Sequence, residues 1–155
     1  MATPTQRLAE LGLELPAPPQ PVAAYMPAVR TGALVFTSGQ LPFVDGELPA
    51  VGVVAEGSDQ VPPDRARELA ATAALNALAV LDAEVGLDAV VRVVKLVGYV
   101  ASAPGFTGQP GVVDGASELL ADVFGDAGRS ARSAVGVAML PLGSPVEVEL
   151  VVEVS

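Results

Sequence analysis

The chain contains no cysteine and no histidine. Disulfides, thiol nucleophiles, thiolate or imidazole metal sites and every triad built on a histidine base are therefore excluded together. Its chemistry must come from carboxylate, guanidinium, amine, hydroxyl, phenol or backbone groups. Positive charge is scarce as well: 8 Lys and Arg stand against 18 Asp and Glu, for a formal net charge of -10, and Lys95 is the sole lysine. Such a surface repels a phosphate backbone, and with aromatics at 4% there is little to stack on bases, so no nucleic-acid partner is expected. Long apolar runs are missing too. The composition is 51% hydrophobic, yet no run reaches the ~18 residues needed to cross a bilayer, and no basic stretch followed by an apolar one opens the chain as a signal peptide would. The expectation is a soluble, cytoplasmic protein without a membrane partner. At 155 residues it has the size of one domain with its own core.

Secondary structure is clearly punctuated. In "TPTQRLAELG", Thr3 is a helix cap, Pro4 suits the first helical position, Gln6 completes a capping box and Gly12 is a stop. "LPAPPQP" then forbids regular structure until about Val22. Two apolar stretches, "VAAYMPAV" and "ALVFTSGQLP", flank the turn "RTG" and read as a hairpin. Between Val44 and Pro62, "VGVVA" is the one candidate for a short strand. "PPDRARELAATAALNALAVLDAEVG" predicts a helix from about Pro63 to Val85, with prolines at its start, no internal glycine and Gly86 as terminator. "AVVRVVKLVGYVAS" reads as a strand, "APGFTGQPG" as a loop, "VVDGASELLADVFG" as a shorter helix and "SAVGVAML" as a strand. "VEVELVVEV" alternates, with Val146, Val148, Leu150, Val152 and Val154 on one face and mostly glutamates on the other.

This order predicts an α+β domain with one sheet and two main helices. Two helices cover only one face of such a sheet. The strand around Val90 to Val100 is nevertheless apolar on both faces, so the second face is expected to be buried by self-association.

One arginine stands out. Arg132 heads a strand whose same-side neighbours Ala134, Gly136 and Ala138 are all small, which leaves room beside a guanidinium suited to bidentate recognition of carboxylate. Glu147 stands on the polar side of the last strand, where on the strand pattern alone it reads as part of a solvated face like Glu149 and Glu153. Tyr25 precedes Pro27 in an apolar segment, where a tyrosine is usually half-buried with its hydroxyl at the rim. Ser38 in "TSGQ" is read equally well as a turn residue capping its own backbone. The glycine-rich "APGFTGQPGVVDG" fits neither the dinucleotide fingerprint nor the lysine-bearing phosphate loop.

"YMPAVRTGALVFTSGQLP" together with "ARSAVGVAMLPLGSPVEVELVVEV" resembles the Rid/YjgF family of reactive-intermediate deaminases, also labelled endoribonuclease L-PSP-like. The resemblance spans 22–155, leaving 1–21 as an N-terminal extension of short helix and proline-rich tail, as in a divergent branch. It implies a chorismate-mutase-like fold, a homotrimer whose sheets form an inner barrel, and clefts between subunits. It also implies hydrolysis of enamine or imine acids such as 2-aminoacrylate to 2-keto acids and ammonia, with no cofactor and no metal. Carried over by position, Arg132 grips the carboxylate of a small metabolite, Glu147 holds the attacking water, and Tyr25 and Ser38 complete the pocket. Two positions depart from the family pattern. Its frequent cysteine is Ala134 here, and its asparagine on the second helix is Asp114, an acid that would oppose an anionic substrate or select a different one. The alternative function is a non-catalytic keto-acid-like metabolite binder on the same trimer. A ribonuclease ranks last, since it would act without histidine and against the net charge.

Overall fold

The computed structural model describes residues 1–20, 23–57 and 59–155. Val22, where the first apolar stretch begins, and Pro21, at the end of the proline-rich tail, lie outside them. The N-terminal helix α1 spans Pro4–Glu10 with the expected capping box, in which the Thr3 hydroxyl accepts from the Gln6 N–H and the Gln6 side chain accepts from the Thr3 N–H. Leu8 buries against the domain, and the Asp88 carboxylate accepts from the Thr5 N–H at 2.9 Å.

The hairpin forms from β1 (Ala28–Thr31) and β2 (Leu34–Thr37). Its turn lies at Gly32 and Ala33, slightly beyond "RTG", because Gly32 supplies the positive φ of 59° and Arg30 and Thr31 stay in the strand. The expected strand at "VGVVA" is not there. Only Val54 pairs, through isolated bridges to Val61 and Ser102, and Gly52 bends the chain at φ 121° just before it.

Helix α2 runs Pro63–Val85 as predicted and ends at Gly86, φ 80°. Its many alanines are buried. They let α2 lie close both to the sheet and to α3 (Gln109–Phe124), so close that a Cβ on Gly115 would collide with the Arg67 backbone carbonyl. Helix α3 starts three residues before the predicted "VVDG", at Gln109. Pro110 does not prevent this, because a first-turn proline gives up only an N–H that has no intrahelical partner.

The remaining strands are β3 (Val90–Ala101), β4 (Ala131–Val137) and β5 (Val146–Val154). β4 ends before the predicted "AML", which turns away from the sheet. Among the described residues the sheet has five strands in the order β1-β2-β5-β3-β4, antiparallel except for the β3–β4 pair. It is a mixed sheet, and α2 and α3 cover one face.

The core lies between that face and the helices. Val35, Leu96, Val100, Val148, Leu150 and Val152 meet Leu69, Leu78, Leu81, Val112 and Leu120 there. Among the described residues nothing covers the opposite face, and across it the register aligns Val29, Phe36, Val151 and Lys95. Val29, Phe36 and Val135 are exposed. Among the described residues no helix is long and apolar enough to cross a membrane.

Candidate functional site

The sheet separates the predicted residues into two groups. In the parallel β3–β4 register Leu96 stands beside Arg132, Gly98 beside Ala134 and Val100 beside Gly136, and side chains at paired positions share a face. Leu96 and Val100 are buried under the helices, so Arg132 and Ala134 face the helix layer. In the antiparallel β3–β5 register Tyr99 stands beside Glu147 and Val97 beside Glu149, and these project from the uncovered face.

On the helix side, Arg132 reaches α3. Its Nη1 donates to Asp114 Oδ1 at 2.7 Å and to Ser117 Oγ at 3.1 Å, two residues three apart on one helical face. Nη2 makes one long contact, 3.5 Å, to the Pro110 carbonyl. The Arg132 and Asp114 side chains are 26% and 43% exposed, so the pair is open to a ligand while partly desolvated. The structure thus joins Arg132 to Asp114 directly and adds Ser117, which sequence reasoning missed.

The small residues beside Arg132 have a different role from the one expected of them. A Cβ on Gly98 would strike Val113, and one on Gly136 would meet the side chains of Gln109 and Ser102. The small face admits α3 close to the sheet; it does not leave that space vacant. Among the described residues Nε of Arg132 has no hydrogen-bond partner and Nη2 has only the long Pro110 contact.

On the uncovered side, Glu147 is held by the "TSGQ" turn. Gln40 pairs with Val148 through two backbone hydrogen bonds of 2.8 and 3.0 Å, which lays the turn alongside β5. The Glu147 carboxylate then sits on the Cα of Gly39, where a Cβ would collide with Oε1. Ser38 ties the turn to the segment before β1: its hydroxyl donates to the Met26 carbonyl at 2.6 Å and its N–H to the Pro27 carbonyl at 2.8 Å. Tyr25, next to Met26, is exposed. Ser38 is thus a turn-capping group, and the segment it fixes carries Tyr25.

Electrostatics set Glu147 apart. Partial burial raises its pKa above the ordinary glutamate range, and the nearby Glu149 charge raises it further. Glu149 in turn accepts a 2.9 Å hydrogen bond from the Tyr99 hydroxyl. That bond, together with burial, lifts the phenol of Tyr99 above its usual value. Tyr99 was not foreseen because nothing in "VKLVGYVAS" reveals which strand will lie beside it. A cavity of about 630 Å³ lies elsewhere, between the proline-rich extension and α2, lined by residues such as Pro16, Pro19, Phe43 and Asn76 and by none of the predicted site residues.

A partly exposed guanidinium thus lies on one face of the sheet and a partly buried carboxylate on the other. Within one chain they do not meet. Known proteins place this arrangement in context. The chain is 42% identical over 156 residues to protein TCP17 of Trypanosoma cruzi, covering 96% of this chain and 92% of that one. The solved structure of Atu1372 from Agrobacterium tumefaciens, described as of unknown function, is 40% identical and superposes with a TM-score of 0.87 over 96% of this chain and 91% of that one. A Shewanella oneidensis structure carrying an endoribonuclease description is 33% identical, with a TM-score of 0.91 over 99% and 100% of the two chains. The family model described as "YjgF/chorismate_mutase-like, putative endoribonuclease" matches residues 5–154, and the chain belongs to that family.

Proposed function

We propose that the chain is a hydrolytic deaminase of small enamine or imine acids, converting them with water to 2-keto acids and ammonia. The observation that carries this reading is the division of parts across the sheet: Arg132 with an open Nε/Nη2 edge on the helix side, and Glu147 with a raised pKa on the other. Arg132 stands on the edge strand β4, so in an assembly the β4 edge of one copy set against the uncovered face of its neighbour would bring the Arg132 of one near the Glu147 of the other. A homotrimer with an inner barrel satisfies this, and so does the exposure of Val29, Phe36 and Val135. Arg132 then grips the substrate carboxylate, and Glu147 orients water and takes its proton as the water attacks the imine carbon. Tyr25, on the segment fixed by Ser38, closes the pocket. The endoribonuclease label on the family is a poorer fit, because a formal net charge of -10 opposes RNA.

Ala134 and Asp114 favour a second reading, a non-catalytic metabolite binder on the same assembly. Imino acids generated in situ by an amino-acid oxidase decide between the two. A deaminase accelerates keto-acid release at catalytic concentrations, whereas a binder changes nothing until it is stoichiometric with substrate.

A further inference from the structure

We propose that the cavity of about 630 Å³ between the proline-rich extension and α2 binds a small hydrophobic amine, an apolar body that ends in an ammonium group. Neither Arg132 nor Glu147 lines it, so the proposal goes beyond the deaminase reading and does not depend on it.

The volume is that of a small-molecule site. Its apolar wall comes from Pro16 and Pro19 of the extension and from Phe43. Prolines keep the extension stiff, so little chain freedom is lost when a ligand enters.

The polar lining decides what can enter. Two amide side chains more than nine-tenths buried, Gln40 at 8% exposure and Asn76 at 6%, face the same space. Asn76 directs its Nδ2 protons to the carbonyls of Leu41 at 2.8 Å and Phe43 at 3.1 Å, which fixes the orientation of the amide. Its Oδ1 then has no hydrogen-bond partner among the described residues. None of their side-chain oxygens is both fully buried and unpaired, so Oδ1 keeps open surface at the cavity Asn76 lines. Gln40 repeats the arrangement: Nε2 donates to the Ser38 carbonyl at 3.3 Å, and Oε1 is left as an unpaired acceptor among the described residues. A carboxylate joins them at Asp45. Val44 and Glu47 exchange backbone hydrogen bonds of 2.9 and 3.1 Å across Asp45 and Gly46, whose φ values of 51° and 82° make a tight two-residue hairpin turn that holds Asp45 in place. Gln20, the other polar residue there, is exposed and has no hydrogen bond among the described residues to fix its amide. No lining residue is basic.

The fixed polar groups are therefore acceptors, and one of them is charged. A carboxylate ligand would meet like charge at Asp45 and no fixed donor, and a hydrocarbon would leave the buried amide oxygens unpaired. An ammonium supplies both donors and the opposite charge, while its apolar body packs against the prolines and the ring of Phe43.

Phenylethylamine, 2-phenylethanol and phenylacetate carry one phenyl group and differ at the polar end, which makes them the probes. Calorimetric titration of the wild type at pH 7, where the amine is protonated, is expected to give at least about tenfold tighter binding of the amine than of the alcohol, as a charge-assisted hydrogen bond outweighs a neutral one. Asp45→Asn should remove about that tenfold from the amine and leave the alcohol unchanged. Phe43→Ala should weaken both by about tenfold through loss of the ring contact. An amine that binds no tighter than the alcohol, or not at all, overturns the proposal. Amine binding unchanged by Asp45→Asn overturns it as well, and amine binding unchanged by Phe43→Ala places the amine outside this cavity. Phenylacetate binding as tightly as the amine, and weakened by Phe43→Ala, would show that the cavity accepts anions and would equally overturn it. Circular dichroism and melting temperature are checked for each variant. Asparagine adopts the positive φ of Asp45 readily, so Asp45→Asn still decides the matter should Phe43→Ala fail to fold.

Discussion

Arg132 and Glu147 project from opposite faces of one sheet, Arg132 onto Asp114 of α3 and Glu147 onto the Cα of Gly39. No side-chain rotation brings them together within one chain, since the sheet and its hydrogen-bonded ladder lie between. If both act on one substrate, the catalytic unit has to be assembled from two chains. Activity and assembly should therefore fail together.

The first prediction follows from that. Light scattering coupled to size-exclusion chromatography should give a mass near three times 15.6 kDa for the wild type. Phe36 stands in the open row between Val29 and Val151, and a lysine there would put unpaired charge into any interface that covers it. Phe36→Lys is expected to shift the protein to monomer and abolish turnover while the far-ultraviolet circular dichroism stays unchanged. A monomeric wild type with full activity would dismiss the two-chain site.

Arg132→Lys keeps the charge and loses the planar fork. Lysine can still pair with Asp114, so the fold and assembly should persist. The open Nε/Nη2 edge disappears, and turnover of carboxylate-bearing imines is expected to fall by about tenfold or more, the cost of one good charge-assisted bidentate contact. Steady-state kinetics on two imino acids of different side chain would check this, because losing a carboxylate contact should slow both alike.

Much of the framework could be read from the sequence, for identifiable local reasons. Pro62 and Pro63 at the start and the glycine at 86 bound α2, and the Thr3–Gln6 box fixes α1, because caps and breakers act within a few residues. Where expectation and structure part, tertiary context decides. Val54 sits in a β-rich segment but finds only isolated partners, and Pro110 looks like a loop residue until the first turn of α3 accommodates it. The site was legible in its parts and not in its layout. Alternation shows which residues of one strand share a face, but the relation between β4 and β5 runs through β3, and the register of each pairing, Arg132 beside Leu96 and Glu147 beside Tyr99, is set by tertiary contacts that no single strand's pattern carries. That is why Arg132 and Glu147 were each singled out without their opposite orientation being seen, and why Tyr99 and Ser117 went unnoticed.

Gly39 offers a test of positioning that leaves the core alone. It is partly exposed, and its φ does not demand glycine, so alanine fits the backbone. The atoms nearest the added methyl all belong to the flexible Glu147 side chain, which must swing away. Gly39→Ala should therefore keep a melting temperature within a few degrees of wild type yet lower turnover by about 10- to 100-fold, as a misplacement of an ångström or so does. Retained activity would mean that the Glu147 position seen here is not the one that matters.

The last prediction concerns the protonation of Glu147. Its pKa is raised in the folded chain, first by burial and then by Glu149, so folding favours the protonated form. A group of this kind contributes its stability fully below the ordinary glutamate range and loses that contribution as pH rises through the raised folded value. At pH 7 to 8 the wild type therefore carries the cost of an ionised, partly buried carboxylate beside another, and Glu147→Gln removes it. The variant should melt higher than wild type at neutral pH, by no more than about 4 °C because the group is partly solvated, with the gap closing near pH 4. The same substitution should abolish hydrolysis while leaving ligand binding in place, since the amide keeps the shape but cannot accept a proton. Glu149→Gln separates the two causes. It removes the smaller one, so the acid limb of the pH–rate profile should move down only part of the way toward an ordinary carboxylate, whereas a return to the full ordinary value would make the neighbouring charge, and not burial, the dominant cause.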